Sequence, residues 1–204
     1  MPYRKLLHDL YLSIPESLNQ YLFEECETRA YKKETIISKQ GEPLTDFLRV
    51  EKGIVRAMYT HGSATITTEF YFPGEMITCF IPAYTGEHML QSLETITPAT
   101  VVCCPLNKFK EKLMNNPEAR DFFDKVIAIF MLEQQHRSQI FRTSSAIERY
   151  EHLLRNYPEY LETIPLKYLA SFIDMKRETL SRMRKKMKNG KGIRIKQFHH
   201  LELA

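Results

Sequence analysis

Near the C-terminal end, Lys176-Arg177-Glu178-Thr179-Leu180-Ser181-Arg182-Met183-Arg184-Lys185-Lys186-Met187 carries side chains suited to the edges and backbone of a nucleic-acid duplex. Arginine bonds guanine bidentately, glutamate accepts from cytosine N4, and serine or threonine reaches base edges or phosphate. Each good bidentate pair is worth about 1–3 kcal/mol of discrimination. Leu180, Met183 and Met187 recur at helical spacing and should pack inward, leaving Arg177, Ser181, Arg184 and Lys188 on the opposite face. Base reading is assigned to Arg177, Glu178 and Arg182. Lys176, Thr179 and Ser181 are expected as further DNA contacts. Lys185, Lys186 and Lys188 should lie over phosphates and add affinity and salt dependence with little specificity.

Such a helix needs a scaffold, and the residues before it supply one. Pro165 is placed at the first helical position, and Leu166, Leu169 and Ala170 form an apolar stripe. Asp174 falls where two helices must turn sharply, a place for glycine or for the next most tolerant residues, Asp and Asn. Ile164 to Lys186 therefore reads as a helix-turn-helix. The Asn189-Gly190-Lys191-Gly192 turn leads into Ile193-Arg194-Ile195, a candidate wing. Upstream, Ser145 followed by Glu148 makes a capping box, and Tyr157-Pro158 ends the helix it starts.

The N-terminal two thirds has a different texture. After a helical segment from Pro15 to Cys26, short runs alternate with turn residues: Thr35 to Lys39, Phe47 to Glu51, Val55 to Tyr59, Thr65 to Phe72 and Ala99 to Cys104. The spacing predicts an antiparallel β-roll. A short helix, Asn107 to Met114, and one long helix, Glu118 to about Arg142, follow. Nine of eleven residues from Phe122 to Leu132 are apolar, so this helix asks for cover on every side, and a symmetry mate would supply part of it. Its dimer-forming residues are expected to be Val126, Ile129, Phe130, Glu133, His136, Arg137 and Ile140.

Charge separates the same two regions. From Ile164 to Ala204 there are eleven Lys or Arg against three acidic residues, a balance of +8, which leaves −4 of the net +4 for the first 163 residues. A polyanionic partner for the C-terminal piece follows. Cys26, Cys79, Cys103 and Cys104 show no metal-binding spacing and read as buried free thiols. No run approaches the roughly 18 apolar residues needed to span a bilayer, and no secretory leader is evident, so a cytoplasmic protein without a membrane partner is expected. GxSxG and P-loop patterns are absent, and no enzyme activity is expected. Two other readings fit the sequence less well. A cupin-like metal enzyme would use His61, Glu69, Glu75 or His88 but lacks an HxH pair, so no metal site is assigned. A signalling or scaffold protein with a basic tail accounts poorly for Glu178 within the basic face.

Arg177-Glu178-Thr179-Leu180-Ser181-Arg182 resembles the recognition-helix motif of the Crp/Fnr regulators. Lys33 to Ile37, Gly41-Glu42, Phe47 to Gly53 and Phe72-Pro73-Gly74-Glu75 are similar to that family's cyclic-nucleotide-binding roll. Glu148-Arg149-Tyr150 and Ile164 to Ser171 look like a Bacteroidetes branch of it. The resemblance implies an α+β chain: an effector roll over 1–116, a dimerisation helix over 117–143, and a winged helix-turn-helix over 144–204. It implies a homodimeric transcription regulator bound to a pseudo-palindromic site in double-stranded DNA, with RNA polymerase as a further partner. Candidate pocket residues by this resemblance are Gly74, Glu75, Thr78, Cys79, Met89 and Leu90. The family's ribose and phosphate ligands, aligned without gaps, fall on Thr78-Cys79 and Met89-Leu90, and no Lys or Arg occurs from Ala57 to Asn107. A buried phosphate would be uncompensated there, so cyclic nucleotide is disfavoured and no cofactor is assigned. An uncharged or apolar ligand, no ligand, and a thiol signal through Cys79 all stay open.

Overall fold

The computed structural model describes residues 3–62, 64–77 and 79–188. The chain divides into two compact units, Met1–Arg142 and Thr143–Ala204. Thr78, the candidate wing and His199-His200 lie outside the described residues.

In the first unit, α1 (Tyr3–Leu12) and α2 (Glu16–Phe23) precede eight strands: β1 (Glu27–Tyr31), β2 (Ile36–Ser38), β3 (Asp46–Lys52), β4 (Val55–His61), β5 (Ala64–Tyr71), β6 (Met76–Ile77), β7 (Ser92–Thr95) and β8 (Ala99–Pro105). Helix α3 (Phe80–Thr85) interrupts them, and α4 (Leu106–Asn115) and α5 (Pro117–Thr143) follow. The strands form two antiparallel four-stranded sheets, β1-β8-β3-β6 and β2-β7-β4-β5. The roll expected from the turn spacing is thus present. The single N-terminal helix expected from Pro15 is two helices, because Pro15 caps α2 and Leu7 and Tyr11 of α1 make a buried stripe one turn apart. Strand β1, with two strand-favouring residues, Thr28 and Tyr31, in Glu-Thr-Arg-Ala-Tyr and no apolar alternation, owes its extended form to pairing with β8.

The first sheet is apolar on both faces, which explains the unbroken run Val101-Val102-Cys103-Cys104. Alternation sends Leu48, Ile77, Val101 and Cys103 into the roll interior. Their neighbours Phe47, Met76, Val102 and Cys104 face a second cluster built with Leu7, Leu22, Phe109, Phe122, Phe123 and Val126 from the helices. Phe47 stacks on Phe109 at 3.8 Å between ring centroids, and Phe123 meets both edge-on. The turn between β3 and β4 requires glycine: Gly53 has φ +80, and a Cβ there would sit 2.2 Å from the Pro98 carbonyl oxygen.

Helix α5 has 27 residues. Its expected cover is one-sided within the described chain: Phe122, Phe123 and Val126 are buried, while Met131 is 65% and Leu132 44% exposed.

The second unit contains α6 (Ala146–Asn156), α7 (Pro158–Thr163), α8 (Leu166–Phe172) and α9 (Arg177–Lys188). Ser145 and Glu148 form the reciprocal capping box that starts α6. Pro158 both ends α6 and occupies the first position of α7, a helix the sequence reading passed over. Pro165 caps α8 rather than opening it, so the helix begins at Leu166, one residue later than expected. Tyr150, Leu153, Tyr157, Tyr160, Leu169, Phe172 and Leu180 are buried together as the core side chains of this unit.

Candidate nucleic-acid interface and effector pocket

Helix α8 ends in a Schellman arrangement. The Met175 N–H donates to Ala170 O at 2.8 Å and the Asp174 N–H to Ser171 O at 3.3 Å, with Asp174 at φ 50. A short polar side chain tolerates that left-handed geometry, and the chain reverses directly into α9. Arg149 of α6 holds the turn from behind: its Nε donates to Ile173 O at 3.0 Å, one terminal nitrogen to Asp174 O at 2.8 Å and the other to Ser144 O at 3.2 Å. In the sequence Arg149 stands out only within the Glu148-Arg149-Tyr150 resemblance. Nothing in its spacing announces a turn clamp, because its acceptors are backbone carbonyls.

Helix α9 is anchored by Leu180, fully buried, and Met183, 7% exposed, against a core that includes Ala170. Lys176, Arg177, Glu178, Arg182, Lys185 and Lys186 are exposed, and Thr179 and Ser181 are half-buried. The three residues expected to read bases, Arg177, Glu178 and Arg182, are thus all exposed in the first half of α9. Arg184, expected on that surface, instead turns toward the unit's own backbone and donates to Leu161 O at 3.3 Å. Lys188 closes the helix, and its side chain lies outside what the structure describes.

In the first unit, a cavity of about 230 Å³ lies between the roll and α5, lined by Cys79, Phe80, Met89, Leu90, Phe130 and Arg137 among others. Of the candidate pocket residues, Cys79, Met89 and Leu90 line it. The expectation of a pocket without a cation is corrected here: the roll contributes none, but α5 contributes Arg137. That guanidinium is already engaged. It lies 3.4 Å from the Glu69 carboxylate, donates to Gln134 Oε1 at 2.5 Å and bonds the Thr68 carbonyl, while Gln134 Nε2 donates to Glu69 at 3.0 Å. An incoming phosphate would have to displace Glu69 from a buried pair. Burial pushes the Cys79 thiol up to about 12.

Gly74 and Glu75 do not line that cavity. Glu75 is fully buried and serves α1: Arg4 donates to its Oε2 at 2.5 Å, His8 Nδ1 lies 2.8 Å from Oε1, and the Phe72 N–H donates at 2.9 Å. Burial alone would raise its pKa, but the Arg4 charge and the His8, Phe72 and Arg4 hydrogen bonds outweigh it and hold the carboxyl below its usual value. A Cβ at Gly74 would meet Leu12 of α1 at 3.1 Å.

The residues expected at the dimer face of α5 divide. Val126 and Glu133 are buried within the first unit, Phe130 packs edge-on to Phe80, and His136 packs edge-on to Tyr3. With Arg137, which faces Glu69 and Thr68, these residues make contacts within the first unit itself. Ile129 and Ile140 are half-buried. The exposed side of the helix carries Ala128, Met131, Leu132 and Gln135. Among the described residues no group of three or more His, Cys, Asp or Glu could hold a metal ion, and Glu69 and Glu75 are each spent on an arginine.

Two sheets closing a roll, with a small helix between β6 and β7 and a long helix after the last strand, decide the kind of domain. Residues 28–116 match the cyclic nucleotide-binding domain. Solved structures extend the likeness beyond the cyclic nucleotide-binding domain to most of the chain. FixK2 from Bradyrhizobium japonicum is 16% identical with a TM-score of 0.67, over 81% of this chain and 86% of that one. The c-di-GMP-responsive global regulator CLP of Xanthomonas campestris is 14% identical with a TM-score of 0.68, over 87% and 93%. The catabolite activator protein of Thermus thermophilus is 18% identical with a TM-score of 0.57, over 89% and 87%. The fold is that of Crp/Fnr-family regulators. No curated protein matches the chain in sequence.

Proposed function

We propose that this chain is a cytoplasmic, homodimeric transcription regulator that binds a pseudo-palindromic site in double-stranded DNA through α9. One observation carries the reading: a Schellman turn at Asp174, clamped by Arg149, presents a helix whose Leu180 and Met183 are buried and whose Arg177, Glu178 and Arg182 are exposed. That is how a recognition helix meets a major groove. Lys176, Thr179, Ser181, Lys185, Lys186 and Lys188 add phosphate and flanking contacts. The exposed Met131 and Leu132 on α5 support a second copy as the cover of that helix. RNA polymerase is the further partner of the DNA-bound dimer.

The pocket reading follows from Arg137. With its guanidinium committed to Glu69, Gln134 and Thr68, the cavity favours an uncharged or apolar effector over cyclic AMP. Selection of bound sequences from a random DNA pool, with and without cyclic AMP, tests both claims. The expected outcome is an inverted repeat with half-sites about 34 Å apart, recovered equally with and without the nucleotide. Recovery of no consensus would overturn base readout, and a cyclic-AMP requirement would overturn the pocket reading alone.

A further inference from the structure

We propose that Cys26 and Cys104 are a modification site of the first unit, forming a reversible disulfide in response to hydroperoxides. The register of the first sheet puts them together. Glu27 pairs with Cys103 at the end of the β1-β8 ladder, and Cys26 and Cys104 are the next residues along the two antiparallel chains, joined by a side-chain hydrogen bond. Directly opposed residues in such ladders have Cα atoms about 4.5–5.5 Å apart, within the range a disulfide spans. The side chains converge as well: Cys26 Sγ and Cys104 Sγ each lie 3.8 Å from the Leu22 carbonyl oxygen. Lys112 Nζ reaches the same carbonyl at 3.4 Å.

Strand alternation makes this pairing selective. Cys103 points into the roll interior with Cys79 nearby in the same cluster, whereas Cys104 points to the helix side. Exposure then divides the work between the two thiols. Cys26 is half-buried and reachable by a small oxidant, whereas Cys104 is 1% exposed. Burial foremost, then the hydrogen bond to Cys26, push the Cys104 thiol up to about 12, with the Lys112 charge opposing. Cys26 is therefore the sulfur that peroxide meets, and Cys104 the one that resolves it.

The Cys26 thiolate attacks one peroxide oxygen; the S–O bond forms, the O–O bond breaks, and hydroxide leaves to take up the proton the thiol released. The Cys104 thiol then loses its proton as its sulfur attacks Cys26. The S–S bond forms, the S–O bond breaks, and the departing hydroxide carries that proton away as water. Two thiols are oxidised by two electrons, and one peroxide is reduced to two waters. Nothing in this sequence depends on DNA binding or on the effector cavity.

The test treats the full chain with hydrogen peroxide, blocks free thiols, and maps peptides without reduction. The expected product is an intramolecular Cys26–Cys104 link, with Cys79 and Cys103 still alkylated and with full reversal by dithiothreitol. Cys26→Ser abolishes the link, and Cys104→Ala leaves Cys26 trapped as a sulfenic acid by dimedone. Should Cys104→Ala fail to fold, the wild type and the surface-proximal Cys26→Ser still decide the matter. Four unmodified thiols, oxidised Cys26 beside a still-alkylatable Cys104, or links through Cys79 or Cys103 would each overturn the proposal.

Discussion

Arg149 donates to the carbonyl of Asp174 at 2.8 Å, binding the first helix of the second unit to a turn residue held at φ 50. Three of its nitrogens reach three backbone carbonyls, so the entry angle of α9 depends on a side chain 25 residues upstream of that turn. Arg149→Ala should therefore cost about 1.5–3 kcal/mol of stability in the second unit, the range for hydrogen bonds to charged groups. It should also weaken DNA binding on every sequence alike. Thermal melts and binding to cognate and random duplexes measure the two effects; a change in sequence preference without a change in stability would contradict the clamp.

Arg177→Ala should behave oppositely. Its side chain is exposed and supports nothing in the fold, so melting stays unchanged. Discrimination between the cognate and a substituted site should fall by about 1–3 kcal/mol. Lys185→Ala should lower affinity uniformly and flatten the salt dependence by about one counterion. Competition binding over a salt series separates the two residues.

Stability should respond to pH through His8. The hydrogen bond with Glu75 raises its pKa above 6.5 against the opposing effect of burial. A group with a raised folded pKa stabilises fully below its unfolded value, and that contribution is lost as pH rises through the folded value. The gap in melting temperature between wild type and His8→Ala should thus be widest below pH 6.5 and close in alkaline buffer. Glu75, with a lowered pKa, runs the other way: its contribution is present above 4.5 and lost as pH falls through its folded value. Melts of wild type, His8→Ala and Glu75→Gln from acid to alkaline pH check both signs.

Gly53→Ala should destabilise the first unit by about 1–3 kcal/mol, the usual cost of non-glycine backbone strain. The close approach of the Pro98 carbonyl at 2.2 Å adds to it. Chemical denaturation of the variant checks this, and an unchanged midpoint would show that the β3–β4 turn can relax.

The α8–turn–α9 pair was readable in the sequence because its signals are local: a turn residue at Asp174 and an apolar repeat at Leu180 and Met183. So was the capping box at Ser145, whose partners are three residues apart. What stayed hidden was set by partners distant in sequence. Arg137 lies 68 residues from the Glu69 it faces, and Arg4 lies 71 from Glu75, so no window along the chain connects them. Strands such as β1 and β7 carry too little apolar pattern to declare themselves without their neighbours. The long helix misled for another reason. Its apolar residues are distributed around the axis, and periodicity alone could not say which side the roll would claim.

The Arg4–Glu75 pair also bears on where the roll can be divided. Sequence likeness to the cyclic nucleotide-binding domain begins at residue 28, after both N-terminal helices. A fragment starting there would strand a fully buried carboxylate without its arginine and would bare Met76, Val102 and Cys104 of the first sheet. The first helix is thus an internal counter-ion and an outer wall for the roll, and the smallest self-sufficient piece of this chain starts before Arg4.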